Sequence, residues 1–382
     1  MGIFLDKNID AAVSWLLNSG IQNTKGESIG SFNAWYDMDS KTYPFIYSEI
    51  TGYGITTLLY ANSISRNNTY KERAKMAADW IINLMNENSG ITARIYSGYK
   101  PDLRYFGSNI SYMFDNGMVL SGLVNIYLAT KEDKYLEAAT ELAQSLLNAQ
   151  KDNGLFYAAY DTMTEKYIDV QDKWSTQSGS YHAKLAIGLI DLYKVTRNEI
   201  FKNAAVALCN GSLVLQDNHG RFITQHNEDS THMHPHCYSV EGLVYVGIKL
   251  EEKRFLESAL HAVEWALNNQ LPSGGMPCKY VNDKFINYER SDTLAQVLRL
   301  GLVLQSIGLL SGYEDNLKRL ASRLVQFQNT SNNNKGGFFY GTELDGTIKN
   351  HLNSWATMFS IQAMLMYQSY LRGKKIEIKP FV

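Results

Sequence analysis

The sequence predicts an all-α fold, an (α/α)6 toroid of six helical hairpins with short β segments in the loops. A Gly-plus-aromatic segment occurs six times: GSFNAWYD from Gly30, GITARIYS from Gly90, GLFYAAYD from Gly154, GRFITQHN from Gly220, GGMPCKYV from Gly274 and GGFFYGTE from Gly336. Their starts lie 54 to 66 residues apart, long for a solenoid repeat but natural for a helix pair with loops. Amphipathic runs precede the segments and almost wholly apolar runs follow them. The first kind of helix has one wet face; the second is buried on most sides. Six of each in strict alternation fill an outer and an inner ring, and closing the ring removes the need for capping repeats.

The amphipathic runs are 9–19, 70–86, 134–148, 198–216, 253–269 and 314–328. In the third, Tyr135, Ala138, Ala139, Leu142 and Leu146 fall at helical spacing with Lys, Glu and Gln between them. The apolar runs are 51–61, 117–128, 182–195, 240–250, 293–304 and 355–366. Gly122, Gly188, Gly242 and Gly301 would let neighbouring backbones approach closely. Turn residues separate the runs, as at Asn218-His219-Gly220. Residues 331–335 read as a polar loop inside the sixth repeat and 374–382 as a tail. With no linker in sight, 1–382 is expected to be a single toroid domain.

Composition excludes several functions. A net charge of −2 gives no electrostatic case for nucleic acid or a membrane surface. Cys209, Cys237 and Cys278 show no CxxC spacing, which argues against a disulfide framework or a structural zinc site. No cofactor is implied. No run nears the ~18 apolar residues of a membrane span. MGIFLDKNID is polar where a signal peptide needs roughly 7–15 apolar residues, so the expected compartment is the cytoplasm. The 25 Tyr, 15 Phe and 6 Trp are mostly core filler, yet they are also platforms for sugar rings. Oligomeric state is left open.

In such a ring the N-terminal ends of the inner helices converge on one mouth, with unsatisfied N–H groups and positive dipole ends. The candidate residues sit there: Glu49 after Tyr47, Asp115 after Phe114, Tyr181 with His182, His234 with His236, Tyr238 and Glu241, Arg290 with Asp292, and His351 with Asn353 and Trp355. The bland reading of Asp115, Asp292 and Asn353 is helix capping. What outweighs it is coincidence, since acids, histidines, an arginine and aromatics all project from one edge. A polar mouth with aromatic walls reads as a carbohydrate cleft.

Two chemistries compete at that mouth. Glycoside hydrolysis needs two carboxyls about 5 to 9.5 Å apart, and Glu49, Asp115, Glu241 and Asp292 come from different repeats. Arg290, Arg94 or Arg104 could clamp a substrate carboxylate. The His232-x-His234-x-His236 cluster could suggest a metal, but Pro235 interrupts it and the spacing fits no familiar ligand set. Acid–base work or sugar hydrogen bonding by His236 is the better expectation, because imidazole titrates near neutrality. His219 and His261 read as structural or exposed.

The six-repeat pattern resembles the six-hairpin glycosidase-like enzymes. More narrowly, YPFIYSEITGYGITTLLY (43–60), FDNGMVLSGL (114–123) and HPHCYSVEGL (234–243) resemble the VpsJ family of bacterial exopolysaccharide-biosynthesis proteins. WSTQSGSYHAKLAIGLIDLY (174–193) is similar to the helical domain of glucuronyl C5-epimerases. His236, Glu241 and His351 fall in repeats comparable to those that carry the histidines of N-acylglucosamine 2-epimerases. Asp115 matches in place the aspartates that unsaturated glucuronyl hydrolases use at this mouth.

These resemblances imply an enzyme on a polysaccharide or oligosaccharide containing uronic or acetamido sugars. Hydrolysis leads, with Asp115 and Asp292 as the pair and Glu49 as a substitute for either. Trp35, Tyr53, Tyr181, Tyr238 and Trp355 would stack or orient sugars, with His182, His234, Glu241, Arg290 and Asn353 as further substrate contacts. The rivals are an epimerase or lyase working through His236 and His351, and a non-catalytic glycan-binding component of polysaccharide export.

Overall fold

The computed structural model describes residues 2–87, 94–96, 110–170 and 173–382, with only the backbone described for 2–4 and 94–96. Twelve α-helices run through these residues. They are α1 (Gly2–Asn18), α2 (Ser48–Ser65), α3 (Asn68–Glu87), α4 (Met113–Thr130), α5 (Asp133–Leu147), α6 (Ala186–Thr196), α7 (Glu199–Leu213), α8 (Met233–Leu250), α9 (Lys253–Asn268), α10 (Ser291–Ser306), α11 (Glu314–Gln326) and α12 (Ser354–Leu371). The even helices each pack on the next, and α12 packs on α2 to close the ring. The odd helices lie outside, α3 on α2, α5 on α4 and so on round to α1 on α12. The fold is the (α/α)6 toroid the repeats predict.

Inner and outer helices join by tight turns. Arg66, Lys131, Arg197 and Glu251 end α2, α4, α6 and α8 in the left-handed region, and the cap N–H satisfies a carbonyl of the last turn. The outer-to-inner connections are longer and carry the strands. Trp35–Asp37 pairs with His351–Asn353, Phe45–Tyr47 with Arg94–Tyr96, Ile110–Tyr112 with Ala159–Asp161, and Thr231–His232 with Lys279–Val281, all antiparallel. Each pairing ties one hairpin's loop to the next, the first of them across the seam of the ring. The strands therefore form a collar at the ends where the inner helices begin.

The repeated glycines have a packing cause. Gly30, Gly154, Gly220, Gly274 and Gly336 have φ between +84° and +102°, and a Cβ on each would lie 1.9–3.0 Å from a backbone carbonyl oxygen of α3, α7, α9, α11 or α1. Beside each glycine a glutamine clasps the same junction. Gln22, Gln150, Gln216, Gln270 and Gln328 donate Nε2 to the glycine's carbonyl and to a carbonyl of that outer helix. The sixth copy, at Gly90, lies outside the described residues.

The even helices are buried nearly all round, as their composition requires. Close approach occurs where glycine permits it: a Cβ at Gly52 would meet Met118 O at 2.6 Å, and one at Gly242 would meet Ala183 O at 2.0 Å. Gly301 instead faces Leu317 of its own outer helix. At the far end of the ring, residues 374–382 fold under it, with Ile376, Phe381 and Val382 buried. No helix among the described residues is long and apolar enough to cross a membrane.

All the inner helices but α6 start earlier than their apolar runs. The largest difference is α8, which begins at Met233 rather than near Val240. Pro235 falls in its first turn, where the missing N–H has no helical acceptor to lose. Before α6 the chain makes a 3-10 turn, Ser180–Leu185, that runs directly into the helix. These added turns carry most of the candidate residues.

Candidate functional site

A cavity of about 380 Å3 opens at the collar, lined by the first turns of the inner helices. Helix α2 supplies Glu49 and Ile50, α4 supplies Phe114 and Asp115, and the 3-10 turn before α6 supplies Tyr181. Helix α8 adds His234 and Tyr238, Arg290 stands at the N-cap of α10, and Trp355 comes from α12. Trp35, Phe45, Tyr47, Tyr112, Trp174, Ser175, Thr176 and Tyr340 complete the wall from the strands and loops. All six repeats contribute.

Among the described residues, two carboxylates line this cavity. Asp115 and Glu49 are 4% and 8% exposed, and the Tyr47 hydroxyl donates to Asp115 Oδ1 at 3.1 Å. Neither caps its helix: the N-cap residues of α2 and α4 are Tyr47 and Tyr112.

Asp292 is different. It is fully buried behind the wall and gathers the groups in front of it. Arg290 donates Nε to Oδ1 at 3.1 Å and Nη2 to Oδ2 at 2.5 Å, Trp355 Nε1 donates to Oδ2 at 2.8 Å, and Thr293 N donates to Oδ1 at 2.7 Å. Burial pushes its carboxyl up, but the charge of Arg290 and these hydrogen bonds win and hold it at about 2. An acid so firmly ionised cannot give up a proton, and its oxygens tether three wall groups. The third is His234, whose Nδ1 lies 3.6 Å from Oδ2 and donates to Gln296 Oε1 at 2.7 Å. That hydrogen bond puts the proton on Nδ1 and the lone pair on Nε2. Burial, then Arg290, lowers the imidazole to about 3, so it is neutral.

Trp35, Tyr181, Tyr238, Arg290 and Trp355 all line the cavity, as expected of sugar contacts. His236, His351, His182, Asn353, Tyr53 and Glu241 are not among its lining residues. His236 points away from it: Phe222 N donates to its Nδ1 at 3.3 Å, its Nε2 reaches Ala262 O at 3.1 Å, and Phe222 and Trp265 flank the ring. Both nitrogens are committed to backbone groups, so it has none left for acid–base work. His351 is sandwiched between Trp35 at 5.3 Å and Tyr340 at 5.1 Å, bracing two wall rings from behind. His182 is buried against Tyr181, 4.1 Å between rings.

Asn353 is the N-cap of α12 and accepts from Ala356 N at 2.9 Å, so the capping reading holds there. Tyr53 donates to the Tyr238 hydroxyl at 3.0 Å from beneath the floor. Glu241 lies deeper still, between Lys184 at 2.7 Å and Arg299 at 2.6 Å, and the same two cations reach Val382 O from the tail. It neutralises buried charge and does not face the cavity. The His232, His234 and His236 side chains diverge to Gln225, Gln296 and Ala262 respectively. Among the described residues no three His, Cys, Asp or Glu side chains come together as a metal site would need. Of the alternative clamps, the Arg94 side chain and all of Arg104 lie outside the described residues.

Tyr47 and Phe114, named at the helix starts, line the cavity too, whereas sequence reasoning passed over Trp174 and Tyr340. Tyr340 lies inside the sixth repeated segment, so a signal was present. Trp174 comes from a loop whose direction no repeat dictates.

No family model matches the chain. An uncharacterized protein of Caenorhabditis elegans is 23% identical over 214 residues, 53% of this chain and 27% of that protein. The chain thus spans about a quarter of the length of the curated relative it matches. Among solved structures, a cellobiose 2-epimerase from Bacillus thermoamylovorans is similar over 97% of this chain and 100% of its own, with TM-score 0.78 and 11% identity. A D-mannose isomerase gives TM-score 0.76 at 12% identity, covering 96% and 98% of the two chains. An unsaturated glucuronyl hydrolase specific for heparin gives 0.74 at 13%, covering 99% and 100%. At such identities the likeness is one of fold.

Proposed function

We propose that the chain is a carbohydrate-active enzyme that cleaves a glycosidic bond in an oligosaccharide or polysaccharide containing acetamido or uronic sugars. The observation that carries this is the pair Asp115 and Glu49, brought from adjacent inner helices into one aromatic-walled cavity. Asp115, with the Tyr47 hydroxyl on Oδ1, is the carboxylate that attacks or activates water. Glu49 is the acid that protonates the leaving oxygen. Trp35 and Trp355 offer faces to the sugar. Among the described residues, the one cation of the wall, Arg290, is already neutralised by Asp292, which favours an acetamido sugar over a uronate. The VpsJ-like segments suggest exopolysaccharide as the setting.

A second reading is a sugar epimerase or lyase, supported by His234, whose Nε2 lone pair is left for the cavity. Its weakness is basicity. An imidazole held down to about 3 is a poor match for taking a carbon-bound proton near neutral pH. The deciding experiment incubates a panel of acetamido and uronic glycans in heavy water. New reducing ends without deuterium establish hydrolysis. Ultraviolet absorbance of unsaturated uronates, or deuterium without cleavage, moves the chemistry to His234 and overturns the carboxylate reading. Saturable binding with silence on all three readouts would make the chain a glycan-binding component.

A further inference from the structure

A second cavity, of about 600 Å3, lies on the flank of the ring between α9 and the hairpin formed by Lys279–Val281 and Lys284–Ile286. Three half-buried aromatic rings form one of its surfaces. Trp265 of α9 stands 6.1 Å from Tyr280 and 6.0 Å from Phe285, and the last two rings are 4.9 Å apart. Around them stand four carboxylates: Asp217, Glu228, Asp229 and Asp283. Two cations answer these acids: Arg221 pairs with Asp217 and Asp229, and Lys279 pairs with Glu228. Among the described residues Asp283 is answered by a phenol, accepting from Tyr280 Oη at 2.9 Å.

The carboxylates alone would define no ligand, and no three of them gather closely enough for a metal ion among the described residues. The aromatic surface supplies what an ion would not need. Trp265 and Phe285, inclined by 38°, offer ring faces to the C–H face of a pyranose, Arg221 lies over Tyr280 at 5.1 Å, and the carboxylates accept from sugar hydroxyls. We infer that this cleft is a second carbohydrate site, holding a neutral or amino sugar unit of a longer chain. The surplus of negative charge repels uronates and sulfated sugars and attracts an ammonium group. The hairpin that carries Tyr280 and Phe285 also pairs with His232, the N-cap of α8, two residues before His234 of the central cavity. Both sites thus belong to the collar edge, and one polymer could engage them in sequence. The proposal rests on the chain being a carbohydrate protein, but not on the bond it cleaves.

The test is calorimetric titration with three hexamers: cellohexaose as the neutral probe, fully deacetylated chitosan hexamer as the amino probe and hexagalacturonate as the acidic one. Phe285→Ala and Asp283→Asn alter the hairpin without touching Trp265, which also packs on His236. The neutral and amino hexamers should bind saturably, and Phe285→Ala should weaken both about tenfold. Asp283→Asn should weaken the amino hexamer more than the neutral one, and Phe285→Ala should still weaken both in a Trp355→Ala background. Absence of saturable binding, equal affinity for hexagalacturonate, or loss with Trp355→Ala but not Phe285→Ala would overturn the proposal. Turnover is read separately on a disaccharide, which Phe285→Ala should process at the unaltered rate. Hexamer binding without any turnover would sink the enzymatic reading and leave this one standing.

Discussion

Asp292 and Asp115 are both buried carboxyls at inner-helix starts, and their partners give them different work. Asp292 is bound by Arg290, Trp355 and Thr293, whereas Asp115 lines the cavity itself. Asp115→Asn should lower turnover about 10²–10⁴-fold with little change in melting temperature, checked by kinetics and calorimetry together. Asp292→Asn should instead cost about 3 kcal/mol of stability, since it leaves the Arg290 charge without its partner, and a denaturant titration reads that directly. Full stability with lost turnover in that variant would return Asp292 to the catalytic pair. The types of these residues were legible in the sequence; their partners were not. His234 and His236 make the same point, two positions apart on one helix. At 3.6 residues per turn they point to opposite sides, one toward the cavity and one toward α9. Spacing alone could not choose between them until the helix start was known.

At the scale of elements, the repeated glycine is the clearest case of sequence dictating structure. Each described copy has a positive φ, and at all but Gly274 a Cβ would clash outright with the next outer helix. In Gly154→Ala the new Cβ would sit 2.1 Å from Ala207 O. The strain at that backbone angle alone is about 1–3 kcal/mol, and the clash adds to it. Thermal unfolding should show a large fall, whereas alanine at Gly26, with nothing within 4 Å, should show only the smaller cost of its φ of +78°. The glutamine clasps were equally present in the sequence, yet a lone Gln carries no pattern until its two carbonyl partners are known. Helix starts were misjudged for a related reason. The first turns of α2, α4 and α8 are polar or aromatic because they face the cavity, so they break the apolar run that marks the rest of each helix.

Across the whole molecule, burial sets a response to acid. His182, His234 and His236 are buried, and burial, the largest cause for each, lowers them to about 3, 3 and 4. A histidine lowered in the folded state contributes stability in full above its unfolded value near 6.5, and that stability drains as pH falls toward the folded value. Each should cost about 2 kcal/mol by pH 5, before most carboxylates titrate. The melting temperature should therefore fall steadily from pH 7 to pH 5, and a flat profile over that range would contradict the burial of these rings. By itself the sequence determined the ring, because a repeat of wet-faced and all-apolar helices has no other way to bury its inner set. It also determined which edge is polar. Tertiary structure alone decided which of those polar residues meet, because each side chain's direction depends on where its helix starts and what its neighbour across the ring offers it. That is why Asp115, Glu49 and His234 share a cavity while His236, Glu241 and Asn353, from the same edge, serve the frame.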